Sequence, residues 1–224
     1  MRITYWGHSG FSVEIDGRSF LFDYIGHALT QPEKQEKTTA LISHAHADHC
    51  SQEVLRWGRE GRVRLVAGMG VPAGCGSRLR PGACESLGDA TVRAFGSTDA
   101  GVSFLLECGG WSVFHAGDFN LWHWRSEADA AWLRKAEQEF EGVLHTLRGL
   151  RMDVAFFPVD PRMGDGYDEG ALRFAEAVRP GTIIPMHFWD RPDAARSFAE
   201  KCMPEGVRAV CLTRTGETLE IGSL

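Results

Sequence analysis

The sequence has no hydrophobic run long enough to cross a bilayer and no pair of cysteines at Cys-x-x-Cys spacing. A membrane-spanning helix needs about 20 predominantly apolar residues, and small zinc modules hold their metal with closely spaced cysteine pairs. The sequence therefore predicts neither class. Its 43% hydrophobic and 24% charged residues are typical of a globular chain with a substantial core.

An excess of positive charge is also missing, since 24 Lys and Arg residues face 30 Asp and Glu residues, for a net charge of -6 at pH 7. Proteins that bind nucleic acid neutralise its phosphates largely with Lys and Arg. We therefore expect no nucleic-acid partner and no membrane partner. A small anionic substrate remains compatible with this charge, because a bound metal ion supplies local positive charge.

A secretory signal is not evident at the N-terminus, where "MRITYWGHSGFSVEID" alternates like a β-strand. We accordingly expect a cytoplasmic protein. Thiols stay reduced in that compartment, so the cysteines are predicted to be free and mostly buried. There are six of them: Cys50, Cys75, Cys84, Cys108, Cys202 and Cys211.

Strand-like runs dominate the first half of the chain, whereas helices and strands alternate in the second half. Ser51 is the predicted N-cap of the first helix, and Trp132 is predicted on the buried face of the second. The Gly- and Pro-rich segment 68–88 is predicted to be irregular. Helical spacing predicts helices over 51–60, 127–150, 168–178 and 191–202.

This order of elements favours an α/β protein with sheets packed between helices. No stretch has the composition of a disordered linker, and no internal repeat is evident. We therefore expect one domain over residues 1–224, with two pseudo-halves of roughly 1–110 and 111–224.

Three histidines and an aspartate crowd into "HAHADH", directly after the apolar run "ALIS". His44, His46 and Asp48 share parity, so an extended backbone points them to one side. His49 can join them as the next helix begins. Imidazole and carboxylate are ligands that zinc, iron and manganese prefer. A solvated loop or a helix cap is the plainer alternative, but the density of titratable groups favours a metal site.

Two further candidates lie at the ends of distant apolar strands. Asp118 follows "WSVFHAG", and His187 follows "TIIPM". Taken singly, Asp118 is typical of a turn and His187 of a core histidine. Because four ligands on one loop do not close a coordination shell, we predict that both residues complete the metal site.

These motifs resemble the metallo-β-lactamase-fold hydrolase superfamily, and the resemblance spans essentially the whole chain. The opening "WGHSGF" and the late "PMHF" look most similar to its small metal-dependent hydrolases, a subgroup that includes the ascorbate-phosphate lactonase-like proteins. The resemblance implies a four-layer αββα sandwich with a two-metal site along one edge. The matching pieces follow in the family's order: Leu21–Asp23, His44–His49, Ala116–Asp118 and Pro185–His187.

The resemblance also implies a role for each matching residue. Asp23 would orient a ligand on the histidine loop. The expected cofactor is a divalent metal, as one or two zinc ions, with manganese or iron as alternatives. Six residues match ligand positions, two for the first metal, three for the second and one that bridges both: His44 and His46; Asp48, His49 and His187; and Asp118.

One position departs from the family's pattern. The family usually supplies a third histidine to the first metal, and Ser97 in "FGSTDAGVSF" stands where that histidine is expected. Asp99 is a candidate substitute ligand if the loop turns toward the metal, and His115, inside a strand, is a poorer one. We therefore expect a complete second site and a weakened or altered first one.

The ligands and the resemblance together predict a metal-dependent hydrolase. A metal-bound hydroxide would attack a small ester, lactone or phosphoester, and Asp48 is a candidate to accept a proton from this nucleophile. Candidates for the acid that protonates the leaving group are His8, His123 and Tyr167. Arg162 is a candidate to meet an anionic group on this small-molecule substrate, and the tryptophans that flank His123 would suit a pocket wall.

Two other functions stay open on the same scaffold. One is an iron-dependent oxidoreductase, although the diiron type usually has Glu at the position of His46 and a flavin-binding domain that this sequence does not show. The other is a non-catalytic metal-binding protein, which the departure at Ser97 makes conceivable. The sequence also leaves a homo-oligomer open.

Overall fold

The computed structural model describes residues 1–26, 37–72, 76–202 and 204–222, and its strands form two seven-stranded sheets. The first sheet contains β1 (Arg2–Gly7), β2 (Gly10–Ile15), β3 (Arg18–Phe22), β4 (Thr38–Ile42), β5 (Arg64–Gly68), β6 (Ser77–Leu79) and β14 (Thr218–Glu220). The second contains β7 (Cys84–Ser86), β8 (Ala90–Phe95), β9 (Ser103–Cys108), β10 (Trp111–His115), β11 (Val154–Pro158), β12 (Thr182–Met186) and β13 (Arg208–Ala209). The helices are α1 (Gln52–Arg59), α2 (Ala130–Leu147), α3 (Glu169–Val178) and α4 (Pro192–Lys201), with a short 3-10 helix at Pro161–Met163.

Each sheet is antiparallel in one part and parallel in the other. The first has the order β14-β1-β2-β3-β4-β5-β6, and its strands β3 to β6 run parallel. The second has the order β13-β12-β11-β10-β9-β8-β7, and its strands β10 to β13 run parallel. Parallel strands end at a common edge, which is where ligands bind in open α/β sheets.

Aromatic rings fill the space between the sheets. Phe11 of β2 stacks on Phe156 of β11 with ring centroids 4.0 Å apart, and Phe22 of β3 lies 6.1 Å from the same ring. All three side chains are fully buried. Rings of this size dominate the energetics of a core, because each removes a large apolar area from water.

Helices cover the outer face of each sheet. On the first, α1 buries Trp57 completely. On the second, Phe140 of α2 stacks on Phe119 at 5.2 Å and Phe174 of α3 on Phe157 at 4.5 Å, while α4 lies along β12. The order helix, sheet, sheet, helix confirms the predicted αββα sandwich.

Side-chain caps determine where the first two helices begin. The Ser51 hydroxyl accepts the N–H of Glu53 at 3.1 Å, so the predicted cap of α1 is confirmed. Helix α2 begins later than predicted, because the Asp129 carboxylate accepts the N–H groups of Ala131 and Trp132 at 2.9 and 2.8 Å. None of the helices in the described ranges combines the length and the hydrophobicity that a bilayer crossing requires.

Two predictions about elements were wrong. The segment 68–88 contains β6 and β7, two edge strands that each pair on one side only, and three-residue strands leave little periodic signal. Trp132 is 50% exposed, because it lies in the first turn of α2, ahead of the buried face. That face consists of Phe140, Leu144 and Leu147.

The predicted boundary near residue 110 falls between β9 and β10, inside the second sheet. All five cysteines in the described ranges are free, as predicted. Cys50, Cys108 and Cys202 are buried, Cys211 is half-buried and Cys84 is exposed. Cys75 lies outside the described residues.

Candidate metal centre

Histidine and aspartate side chains gather at the edge where the parallel strands end. They form two clusters, and in each cluster one nitrogen or oxygen atom per residue lies within 4.8 Å of the others. The first cluster consists of His44, His46 and Asp118. The second consists of His8, Asp48, His49 and His187. The structure therefore brings together all six predicted ligands and adds His8.

Asp118, directly beyond β10, lies between the two clusters. Its Oδ2 is 3.2 Å from His44 Nε2, and its Oδ1 is 3.0 Å from His49 Nε2 and 3.5 Å from His187 Nε2. Burial alone would raise the pKa of Asp118, but the neighbouring imidazoles hold that pKa well below the usual range of a carboxyl group. The side chain is thus a carboxylate with one oxygen toward each cluster.

Asp48 occupies the open side of the second cluster. Its Oδ2 lies 3.2 Å from His8 Nε2 and 4.0 Å from the Nε2 atoms of both His49 and His187. Contact with His8 lowers the pKa of Asp48 below its usual range. The Asp48 side chain is 31% exposed, so it is the member of this cluster that water and a small molecule reach most easily.

His8 enters the second cluster from the tight turn between β1 and β2. Its backbone has φ 50°, a left-handed conformation that His adopts more readily than most residues. The His8 carbonyl accepts the N–H of His187 at 3.2 Å, and the two rings lie 4.1 Å apart. This turn therefore ties the first sheet to the end of β12. His8, which the sequence predicted as a candidate proton donor, thus lies among the candidate metal ligands.

Asp23, at the end of β3, holds the histidine loop from behind. Its carboxylate accepts the Ser43 N–H at 2.7 Å and the Ser43 hydroxyl at 2.6 Å, and Oδ2 lies 2.7 Å from His49 Nδ1. Burial would lower the pKa of His49, but the carboxylates of Asp23 and Asp118 raise it to about 10. Asp23 thereby fixes which ring nitrogen of His49 faces the cluster.

Asp160, at the end of β11, does the same for His187, although the sequence did not predict this role. This fully buried carboxylate lies 3.0 Å from His187 Nδ1 and pairs with Arg162 through Nε at 3.0 Å and Nη2 at 2.5 Å. Burial alone would raise the pKa of Asp160, but His187 and Arg162 hold it below its usual range. An acid directly after the apolar "FFPV" was the available signal, the same one that identified Asp118.

The remaining predicted residues lie farther from the clusters. Asp99 is exposed and lines a cavity next to the clusters. The Ser97 hydroxyl accepts the backbone N–H of Asp99 at 3.4 Å. Neither belongs to a cluster of the described residues. His115 is fully buried beneath the site and contacts the Ser9 carbonyl at 2.9 Å.

Two of the predicted proton donors form backbone contacts instead. His123 is buried, its Nε2 lies 3.0 Å from the Gly166 carbonyl, and its Nδ1 accepts the Arg125 N–H at 3.3 Å. Tyr167 donates its hydroxyl to the Ala194 carbonyl at 3.1 Å. The polar atoms of both residues are therefore engaged away from the clusters.

The donor atoms fit a divalent metal. Within the part of the chain that the structure describes, four buried atoms of the site have no aligned hydrogen-bond partner: His8 Nε2, His49 Nε2, Asp118 Oδ1 and His187 Nε2. Leaving such an atom unsatisfied costs about 1–3 kcal/mol, and a cation would satisfy all four. Nitrogen and carboxylate oxygen are donors suited to zinc, manganese and iron.

A cavity of about 630 Å³ opens beside the clusters. Its floor includes His46, Asp48, Asp118 and His187. Arg162 and the predicted wall residues Trp122 and Trp124 also line it. The cavity is large enough for a small-molecule substrate next to the candidate ligands.

Fold and site together define an αββα protein with a metal-binding edge. A family model described as the β-lactamase superfamily domain matches residues 2–131. The chain belongs to this superfamily, as the sequence predicted.

Curated relatives share its full length. A UPF0173 metal-dependent hydrolase from Opitutus terrae is 28% identical, with 99% of this chain and 100% of the relative aligned. Another from Ignicoccus hospitalis is also 28% identical, with 98% and 97% aligned. The chain is thus similar over its whole length to proteins named as metal-dependent hydrolases.

Solved structures share the fold. A metallo hydrolase from Ignicoccus hospitalis superposes with a TM-score of 0.69 at 20% identity, covering 99% of both chains. CmlA, a diiron β-hydroxylase from Streptomyces venezuelae, superposes with a TM-score of 0.65 at 16% identity, covering 98% of this chain and 54% of its own. Because proteins named as a hydrolase and as a hydroxylase share this fold, the fold alone does not determine the type of reaction.

Proposed function

We propose that this chain is a metal-dependent hydrolase that cleaves an ester, lactone or phosphoester bond in a small molecule. One observation carries the proposal: two clusters of His and Asp share Asp118 at the floor of a cavity, and four of their buried nitrogen and oxygen atoms have no aligned hydrogen-bond partner among the described residues. The names of the full-length relatives support the same class of activity.

We assign the second cluster as the stronger metal site. His8, Asp48, His49 and His187 supply four donors, and Asp118 Oδ1 lies beside them. The first cluster has only three donors, and His46 is exposed. An additional donor favours binding, and burial favours it further because fewer water molecules compete. The arrangement supports the expected weak first site, and we propose His8 as a ligand of the second site beyond the predicted set.

When bound, a divalent metal lowers the pKa of water and polarises a carbonyl or phosphoryl oxygen. The chain's own residues do the rest. Asp23 and Asp160 orient His49 and His187, while Asp48, exposed to the cavity, accepts and returns a proton. His123 and Tyr167 have no part in this proposal. The His123 ring nitrogens contact the Gly166 carbonyl and the Arg125 N–H, and the Tyr167 hydroxyl donates to the Ala194 carbonyl.

The proposal is tested on full-length protein purified without chelator. We expect one to two metal equivalents per chain and metal-dependent turnover within a panel of lactones, carboxylic esters and phosphodiesters. Chelation should abolish turnover, and zinc, manganese or iron should restore it. Metal-loaded protein that is inactive on every bond class would contradict the proposal. Iron absorbance in the visible range together with oxygen consumption would instead favour the oxidoreductase alternative.

The unequal clusters predict unequal metal affinities. In a competition titration, His46→Ala should remove the weaker equivalent and leave the tighter one. His8→Asn, which keeps a residue that tolerates positive φ, should weaken the tighter equivalent by at least about tenfold. If His8→Asn leaves both affinities unchanged, His8 is not a ligand.

A further inference from the structure

Four of the chain's seven tryptophans line the cavity beside the clusters: Trp122, Trp124, Trp132 and Trp189. Two of them contribute little to the core, since Trp132 is 50% exposed and Trp189 is 41% exposed. Solvent-exposed apolar surface concentrated at one cavity is typical of a ligand site. We call these four tryptophans the aromatic wall. Their exposure at the cavity is not explained by packing in the core.

The wall begins at the candidate ligands and extends outward. The Trp189 ring lies 4.6 Å from the His8 ring, and the Trp122 ring lies 5.7 Å from the His187 ring. The rings of Trp122 and Trp124 are nearly parallel, with an interplanar angle of 10° and a centroid separation of 6.2 Å. A molecule whose reactive bond reaches the clusters would thus lie along flat indole faces.

The backbone holds two of these rings in an unfavourable conformation. Trp124 has φ 41° and Trp189 has φ 53°, in the left-handed region that bulky residues rarely adopt. Strain of this kind persists where the surrounding structure enforces it, and it concentrates at ligand sites.

Arg162 provides the wall with a fixed cation. Its guanidinium lies 4.4 Å from the Trp189 ring centroid and 5.9 Å from that of Trp124. Nε and Nη2 are bound to Asp160, which holds the group in place. Nη1 forms no hydrogen bond within the described residues, so one edge of the guanidinium remains available to an acceptor on a ligand.

The charges around Arg162 limit what this acceptor can be. Asp160 already balances the guanidinium, and Asp48, Asp99 and Glu139 also line the cavity. The other cation on the wall, Lys135, lies 3.7 Å from Glu139. A ligand with one negative charge therefore suits the open edge of the guanidinium better than a dianionic ligand, which these carboxylates would repel more strongly.

We propose, on the basis of the proposed hydrolase function, that the cavity takes an aromatic carboxylate that carries its hydrolysable bond on a separate group. Its ring stacks on the indole faces, and its carboxylate accepts a hydrogen bond from Arg162 Nη1. The hydrolysable bond then faces the clusters. Aromatic rings suit such a wall because offset stacking adds to the gain from apolar burial.

The test measures binding rather than turnover, by calorimetry on metal-free and metal-loaded protein. The metal-free protein matters because a carboxylate could otherwise bind the metal itself. The probes are 2-naphthoate, 2-naphthylmethanol, which lacks the charge, and cyclohexanecarboxylate, which lacks the aromatic face. We expect 2-naphthoate to bind metal-free protein at least about tenfold more tightly than either of the others.

Variants at Trp132 separate stacking from simple apolar contact. Trp132→Leu should weaken 2-naphthoate binding by about fivefold or more, whereas Trp132→Phe should retain most of it. Trp111→Leu, a half-buried tryptophan of β10 outside the cavity, is the matched control and should leave the affinity unchanged. Arg162→Lys should weaken 2-naphthoate binding but not 2-naphthylmethanol binding.

Several outcomes would overturn the proposal. Equal affinity for cyclohexanecarboxylate would exclude aromatic selection, and tighter binding of glucuronate would indicate a carbohydrate instead. Loss of 2-naphthoate binding in metal-free protein would show that the metal, not Arg162, holds the carboxylate. Metal-dependent hydrolysis without 2-naphthoate binding refutes this inference alone, while binding without any hydrolysis refutes only the proposed function.

Discussion

Asp118→Ala should remove metal from both clusters and reduce kcat/KM on any substrate by about 1,000-fold or more. The reason is position, because Oδ2 lies 3.2 Å from His44 Nε2 and Oδ1 lies 3.0 Å from His49 Nε2. Among the ion pairs of the described residues, Asp118 is the carboxylate that contacts a histidine of each cluster. Metal content by elemental analysis and turnover by a continuous assay give the two readouts.

Asp99→Ala is the matched control, since it removes a carboxylate from the wall of the same cavity but from neither cluster. We expect its metal content to stay at the wild-type value. Loss of one equivalent in Asp99→Ala would mean that Asp99 replaces the histidine missing at Ser97. Full metal occupancy in Asp118→Ala would contradict the shared site, and a circular dichroism melt of each variant checks that the fold is retained.

The sequence predicted which histidines and aspartates cluster in the structure, because a dense motif carries its own signal. The loop "HAHADH" needs no partner to be noticed, and Asp118 and His187 share one recognisable context, the end of an apolar strand. Strand ends were sufficient because parallel strands bring them to a single edge. The alternation of helices and strands indicated an α/β protein, and the resemblance to the metallo-β-lactamase-fold superfamily implied its four layers.

The missed features depend on contacts between residues that are distant in the sequence, even where a local signal was present. Asp160 has a context much like that of Asp118, yet its pairing with His187 across neighbouring strands appears only in three dimensions. The packing of His8 against His187 joins two sheets. The tryptophans that flank His123 line the cavity, whereas the His123 ring contacts the Gly166 carbonyl, a placement that the local sequence does not indicate.

The exposure of Trp132 follows the same logic. Its spacing matches the apolar stripe of α2, but the fully buried positions of that stripe begin only at Phe140. Periodicity identifies a face of a helix without showing how far the neighbouring layer extends along it. The first turn of α2 projects past the core and adds its tryptophan to the cavity.

Glycines that enclose Ser43 also connect the fold to the metal centre. A Cβ added to Gly117 would lie 2.8 Å from Ser43 Cβ, and one added to Gly68 would lie 3.1 Å from the Ser43 carbonyl carbon. At Gly101 it would lie 2.5 Å from His44 Cβ and closer still to the Ser43 carbonyl oxygen. Asp23 accepts two hydrogen bonds from Ser43. These bonds and the close approach of the three glycines together restrain the start of the histidine loop.

Gly101→Ala should therefore destabilise the protein by roughly 3 kcal/mol and weaken metal binding at the first cluster. Two costs combine at this position: a positive φ of 68° that alanine adopts poorly, and a collision with backbone that cannot move without shifting His44. Chemical denaturation of metal-free protein measures the first effect, and a competition titration measures the second.

Gly110→Ala separates these two costs. Gly110 has a similar φ of 78°, but nothing lies within 4 Å of the position where its Cβ would be. Its alanine variant should lose only about 1 kcal/mol, from backbone strain alone, and should bind metal like the wild type. The difference between the two variants isolates the close approach to Ser43. Equal free energies of unfolding would show that the histidine loop yields easily, and unchanged metal affinity in Gly101→Ala would show that its position does not set the first site.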